Sequence, residues 1–247
     1  SVELVREDCK EIVERVDISR LEGKTILITG SNGFLCSYFV DVVAYANEHK
    51  FTRPCMILAV DNLKTGKSSQ LAHLDGKPWY EFINHDITKP FEYEGDIHFI
   101  FHGASIASPT FYRKYPLATM DVNTIGTRNM LDLAIAKKSE SIVYMSTSEV
   151  YGDPFPEFVP TNEEYKGNVS CTGPRACYDE SKRYGETLCV VYHQKFGVPV
   201  KITRTFNVYG PRLHLDDKRV VPDLMKDALE GRNLVLLSDG TPTRSFC

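Results

Sequence analysis

A short apolar run ending in a glycine turn and opening into a helical pattern constrains this chain most. It reads Lys24-Thr25-Ile26-Leu27-Ile28-Thr29-Gly30-Ser31-Asn32-Gly33-Phe34-Leu35-Cys36. The spacing predicts a strand over 26–29, a tight turn, and a helix over 34–46. Gly30 can make the turn, and Gly33 lets backbone approach a pyrophosphate. The first amides of the helix, at Gly33, Phe34 and Leu35, would then face the anion with the helix dipole behind them. The third small position holds Cys36 rather than glycine, which is small enough to allow nearly the same helix-to-strand approach. A second strand over 56–60 runs into Asp61 and Asn62. A carboxylate there can accept hydrogen bonds from ribose hydroxyls and would repel a 2′-phosphate, so NAD is expected over NADP.

Further strand signals at 97–101, 141–145 and 200–204 alternate with helix signals at 116–136 and 178–195. Such alternation predicts an α/β fold with a Rossmann-type, doubly wound parallel sheet covered on both faces. Ahead of it, Val5, Cys9, Ile12, Val13 and Val16 recur at helical spacing, an amphipathic extension over 1–22 that caps the domain or reaches a partner. The 247 residues carry a formal charge of −4, so no electrostatic footprint for nucleic acid exists. No 18-residue apolar run offers a membrane span and no leader pattern opens the chain, so a cytoplasmic protein is expected. Seven scattered cysteines without a C-x-x-C pair predict reduced thiols and no metal site.

Tyr178-Asp179-Glu180-Ser181-Lys182 puts a phenol and an ammonium on one helix face. The phenol could take a proton from a substrate alcohol, while the ammonium lowers the phenol pKa and holds the nicotinamide ribose. A half-buried tyrosine beside a solvated lysine has the same spacing, so the pair alone decides nothing. Thr147, just past the 141–145 strand, could hydrogen-bond the same sugar hydroxyl.

Taken in order, Asn84-His85-Asp86-Ile87, His102-Gly103-Ala104-Ser105, Asn123-Thr124-Ile125-Gly126-Thr127, Ser146-Thr147-Ser148-Glu149-Val150-Tyr151-Gly152, Gly173-Pro174-Arg175-Ala176-Cys177-Tyr178 and Phe206-Asn207 resemble the extended short-chain dehydrogenase/reductases, and within them the UDP-glucuronate decarboxylases. The resemblance runs from residue 24 to 246. It implies an NAD-binding domain over 23–206 that also uses Asp86, Ile87, Ala104 and Ser105, and the start of a smaller, incomplete nucleotide-sugar domain over 207–247. It also implies catalysis by Thr147, Ser148, Glu149, Tyr178 and Lys182, and substrate contacts from Asn207, Arg219 and Arg244. A homodimer paired through the 116–136 and 178–195 helices is implied as well. Related 4,6-dehydratases carry an Asp-Glu pair where this chain has Ser148-Glu149, and a serine is a poor acid for a departing hydroxyl. Against decarboxylation stands Asp121, where the decarboxylases tend to carry a lysine near the substrate. Three readings stay open at this point: a UDP-hexuronate decarboxylase, a nucleotide-sugar 4,6-dehydratase or 4-epimerase, and a catalytically silent NAD-binding protein.

Overall fold

A computed structural model describes residues 2–65, 70–217, 219–236, 239–240 and 245–246. Six strands, β1 (Thr25–Thr29), β2 (Met56–Asp61), β3 (Tyr80–Asn84), β4 (Phe99–His102), β5 (Ser141–Thr147) and β6 (Val200–Thr205), form one sheet in the order β3-β2-β1-β4-β5-β6. All five pairings are parallel. This is the doubly wound order expected from the alternating pattern, and it reverses between β1 and β4. Ligands of such sheets bind at that reversal, beyond the carboxyl ends of the strands.

The period-2 geometry of a strand explains how both faces are filled. Leu27, Leu58, Ile100 and Ile142 point to one side, where they meet Met130 and Leu131 of α5 (Thr127–Ala136) and Cys189 and Tyr192 of α6 (Ala176–Phe196). Ile26, Ile28 and Ile57 point to the other and meet Cys36, Val40, Val43 and Ala44 of α2 (Phe34–His49). Each fully buried aliphatic chain contributes about 1.5–3 kcal/mol. The leading helix α1 (Val2–Arg15) lays Val5, Cys9 and Val13 on Val42 and Ala46 of α2. Its apolar stripe is narrower than the spacing suggested, because Ile12 is exposed and Val16 lies beyond the helix and outside the core.

The 116–136 helix is interrupted. α4 (Pro116–Asp121) passes through a π-helical turn, Val122–Gly126, before α5 begins. Three elements have no counterpart in the pattern reading: the edge strand β3, the short helix α3 (Pro109–Lys114) and α7 (Val220–Leu229). β3 is only partly buried along its length, which weakens its apolar alternation, and α7 carries Pro222 in its first turn, where proline is tolerated. Cys9, Cys36, Cys55, Cys171, Cys177 and Cys189 are free thiols. Among the described residues, no helix is long and apolar enough to cross a membrane and no three His, Cys, Asp or Glu side chains gather as metal ligands.

Candidate active site

At the sheet reversal lies a cleft of about 590 Å³. Gly30 leaves β1 at φ +70°, and a Cβ there would stand 2.7 Å from the Ala104 backbone, so the turn after β1 and the loop after β4 close together only around glycine. Gly33 caps α2, and its N–H donates to the Gly30 carbonyl at 2.9 Å. Gly30, Gly33, Phe34, Leu35, Asp61, Asn62, Asp86, Ile87, Ala104 and Ser105 all line the cleft. The carboxylate of Asp61 accepts the Asn32 N–H at 2.9 Å and the Leu63 N–H at 2.8 Å. Burial raises its pKa in spite of those donors. Asp86 is desolvated too, but bonds from Thr88 and Asn62 carry its carboxyl below the ordinary value. Cys36 fills the space that a Cβ on residue 103 would need, 2.2 Å from its sulfur, so the loss of the third glycine is matched by Gly103. Burial pushes this thiol up to about 12, which leaves it a packing group.

Beyond the cleft, β5 delivers Thr147 and α6 delivers Tyr178 and Lys182. All three are buried, at 8 %, 6 % and 3 % exposure, which rules out the solvated-lysine alternative. Thr147 hydrogen-bonds the Tyr178 phenol, and its hydroxyl also accepts the Glu149 N–H at 3.3 Å. The Tyr178 ring stacks on Tyr112 with centroids 5.1 Å apart and planes 10° from parallel. One expectation is corrected: the phenol pKa is raised, not depressed. Burial dominates, the Thr147 bond opposes it, and the carboxylates of Glu149 and Asp179 add to the rise. The Lys182 ammonium donates to the Met145 carbonyl at 2.6 Å and lies 5.0 Å over the Tyr144 ring. Its own pKa is lowered to about 8 by desolvation. Ser105 and Ser181, one from the cleft and one from α6, are joined by Asn123 of the π turn, at 2.8 and 2.9 Å.

The profile of the NAD dependent epimerase/dehydratase family matches residues 26–247. The chain belongs to that family. It is 44% identical over 229 residues to UDP-glucuronic acid decarboxylase 1 of Xenopus tropicalis, covering 93% of this chain and 52% of that protein. It is 44% identical over 222 residues to UDP-glucuronic acid decarboxylase 6 of Arabidopsis thaliana, covering 90% and 62%. The chain thus spans about half to three fifths of the length of these relatives. Among solved structures, the dTDP-glucose 4,6-dehydratase of Bacillus anthracis in complex with NAD superposes with a TM-score of 0.72 at 26% identity, over 90% of this chain and 67% of that one. A UDP-galactose 4-epimerase gives 0.69 at 28%, over 86% and 65%.

Ser148 and Glu149 open the 3₁₀ turn Ser148–Tyr151 that follows β5. The Glu149 carboxylate is paired with the guanidinium of Arg175, whose Nε lies 3.7 Å from Asp179. Asn207 donates to the Ser245 carbonyl at 3.3 Å and bridges Phe246. Arg219 lines the cleft, paired with Asp217. Arg244 lies outside the described residues. Asp121 is exposed and is among the residues that line the cleft. Pattern reading assigned no role to Tyr112, Arg175, Asp179 or Arg212. Arg175 and Asp179 lie inside the motifs named above, while Tyr112 and Arg212 lie outside them.

Proposed function

We propose that this chain forms the cofactor-binding and catalytic part of an NAD-retaining nucleotide-sugar enzyme that decarboxylates a UDP-hexuronate, UDP-glucuronate in the first instance. The residues fit the cofactor: the glycine turn closed on Ala104 gives a pyrophosphate its approach, the start of α2 favours its charge, and Asp61 suits an unphosphorylated ribose. When bound, NAD would supply a hydride acceptor for C4 of the sugar and a source for returning that hydride. Gly30, Gly33, Phe34, Leu35, Asp61, Asn62, Asp86, Ile87, Ala104 and Ser105 would hold it, with Lys182 and Tyr178 at its nicotinamide end.

Tyr178 takes the proton of the C4 hydroxyl, aligned by Thr147. With the phenol raised by burial, the neighbouring buried cation is needed once substrate is in place, and Lys182 is the group one turn away. Oxidation at C4 makes a β-keto acid. Its C5–C6 bond breaks, carbon dioxide departs, and the electron pair passes into an enolate on the C4 oxygen. Protonation at C5, return of hydride to C4 and return of the proton from Tyr178 to the C4 oxygen complete the pentose. Asn207, Arg219 and Arg244 would contact the nucleotide sugar, with the division near residue 207 separating the two parts.

The observation that carries the decarboxylase reading is Ser148 beside Glu149 at the end of β5, since no departing hydroxyl has to be protonated there; the 44% identity to proteins bearing that name supports it. Asp121 on the cleft favours the second reading, a 4,6-dehydratase or 4-epimerase acting on an uncharged sugar. Incubating the full-length protein with UDP-glucuronate and with dTDP-glucose, and reading product masses, separates them. Loss of carbon dioxide from the first supports decarboxylation, a 4-keto-6-deoxy product from the second supports dehydration, and silence toward both favours the non-catalytic alternative. We further propose a cytoplasmic homodimer. Leu117 and Met120 of α4, Ile125 of the π turn, and Tyr184 and Val191 of α6 are exposed on the two helices expected to pair, and a monomer in sedimentation at micromolar concentration would contradict it.

A further inference from the structure

The loop 210–217 starts beside Phe34 of α2, and its Arg212, Leu213, His214, Asp216 and Asp217 all line the cavity. The loop is anchored at both ends of this stretch. At its far end the Ser108 hydroxyl donates to the Asp217 carbonyl at 3.1 Å. At its near end Arg212, in the left-handed region at φ +72°, reaches Asp41 of α2, with Nη2 2.5 Å from Oδ2 and side-chain exposures of only 12 % and 8 %. That backbone conformation is uncommon for a residue with a side chain, so it is kept where surrounding contacts fix it. The guanidinium also lies 5.7 Å over the Tyr38 ring, and His73 holds the second Asp41 oxygen at 2.8 Å from the body of the domain. Arg212 keeps a buried Nη1 without a protein hydrogen bond, a costly arrangement, on a residue that lines the cleft.

We propose that the buried Asp41–Arg212 ion pair is a pin holding the 210–217 loop over the cofactor cleft, so that these two positioning residues set how slowly the dinucleotide leaves. The inference rests on the NAD-binding reading above. Asp41 belongs to the helix whose start faces the pyrophosphate, and Arg212 belongs to the loop that would have to lift. Breaking the pair therefore frees the loop without removing any group from the glycine turn.

The test loads the protein with NADH and follows its fluorescence while excess NAD displaces it. Arg212→Met and Asp41→Asn are each expected to speed release at least tenfold, and the double variant no more than the faster single one, because both remove one interaction. His73→Gln loosens the same carboxylate from the side away from the loop and is expected to change release less than twofold. Should Asp41→Asn fail to fold, Arg212→Met, which alters only the loop, carries the test. Release unchanged in Arg212→Met, or accelerated equally by His73→Gln, overturns the pin. Wild-type protein that retains no NADH overturns the cofactor reading and the pin together, a result distinct from tight retention that the variants leave untouched.

Discussion

Between β1, β4 and α5 the chain buries Thr29, His102 and Thr127 in an unbroken line of hydrogen bonds, whereas beside the N-terminus of α6 Tyr112, Arg175 and Asp179 each keep one buried polar atom unpaired. In the first group both imidazole nitrogens are used, at 2.8 and 3.0 Å, and burial holds His102 neutral, with its pKa down at about 3. In the second, two carboxylates, Glu149 and Asp179, compete for one guanidinium. Burial, only partly offset by Arg175 and reinforced by Glu149, lifts Asp179 to about 6. An unsatisfied buried polar atom costs about 1–3 kcal/mol, so a fold keeps several together only where something other than stability requires them. The first group fixes β4 against α5, and the second surrounds Tyr178, where a substrate would supply the missing partners.

That contrast breaks if the two groups respond alike to substitution. The largest effect is expected at Tyr178. Tyr178→Phe should cut turnover by about 10²–10⁴-fold while NAD retention and urea unfolding stay near wild type, read by product formation on the full-length protein. Comparable loss in unfolding free energy would place Tyr178 with the structural group instead. His102 should show the reverse signature, stability lost without chemistry. Unfolded, it takes a proton near the ordinary imidazole value of 6.5, and folded only near 3, so the unfolded state binds more protons within that window. Stability is therefore full above 6.5 and falls as pH drops toward 3, by up to about 1.4 kcal/mol per pH unit from this residue. His102→Gln should flatten that slope in urea titrations between about pH 3 and pH 6.5, and an unchanged slope would contradict the neutral buried imidazole.

Asp179 should give the smallest change and the opposite sign. Its folded pKa is raised from 3.8 to about 6, so the fold favours the neutral form and loses stability as pH rises through about 6. Asp179→Asn should gain roughly 1–3 kcal/mol above that range and nothing below 3.8. A loss at alkaline pH would mean that the Arg175 contact outweighs the cost of burying the charge.

The nucleotide half of the site was legible in the sequence because its chemistry is local. Gly30, Gly33 and the first residues of α2 are contiguous, and Asp61 ends a strand that pairs directly with β1. Tyr178 and Lys182 were legible from helical spacing, but their electrostatics were not. Only the packing of α6 on β5 reveals that Lys182 is bonded to Met145 and that Tyr178 sits among carboxylates. Asn123 illustrates the same limit. Its motif was visible, yet its link from Ser105 to Ser181 depends on a π turn that no period of 3.6 announces. The edge strand β3 escaped because none of its residues is fully buried, and Arg212 because its partner Asp41, on α2, is distant in sequence.

The central claim is that hydride leaves C4 and returns to it within one bound cofactor around carbon dioxide loss. It is tested most directly with UDP-glucuronate carrying deuterium at C4, incubated with the full-length protein without added NADH. The expected product is a UDP-pentose that has lost the carboxyl carbon and kept the deuterium at C4. A pentose without deuterium, or an intact hexuronate recovered from protein that holds NAD, would contradict the account.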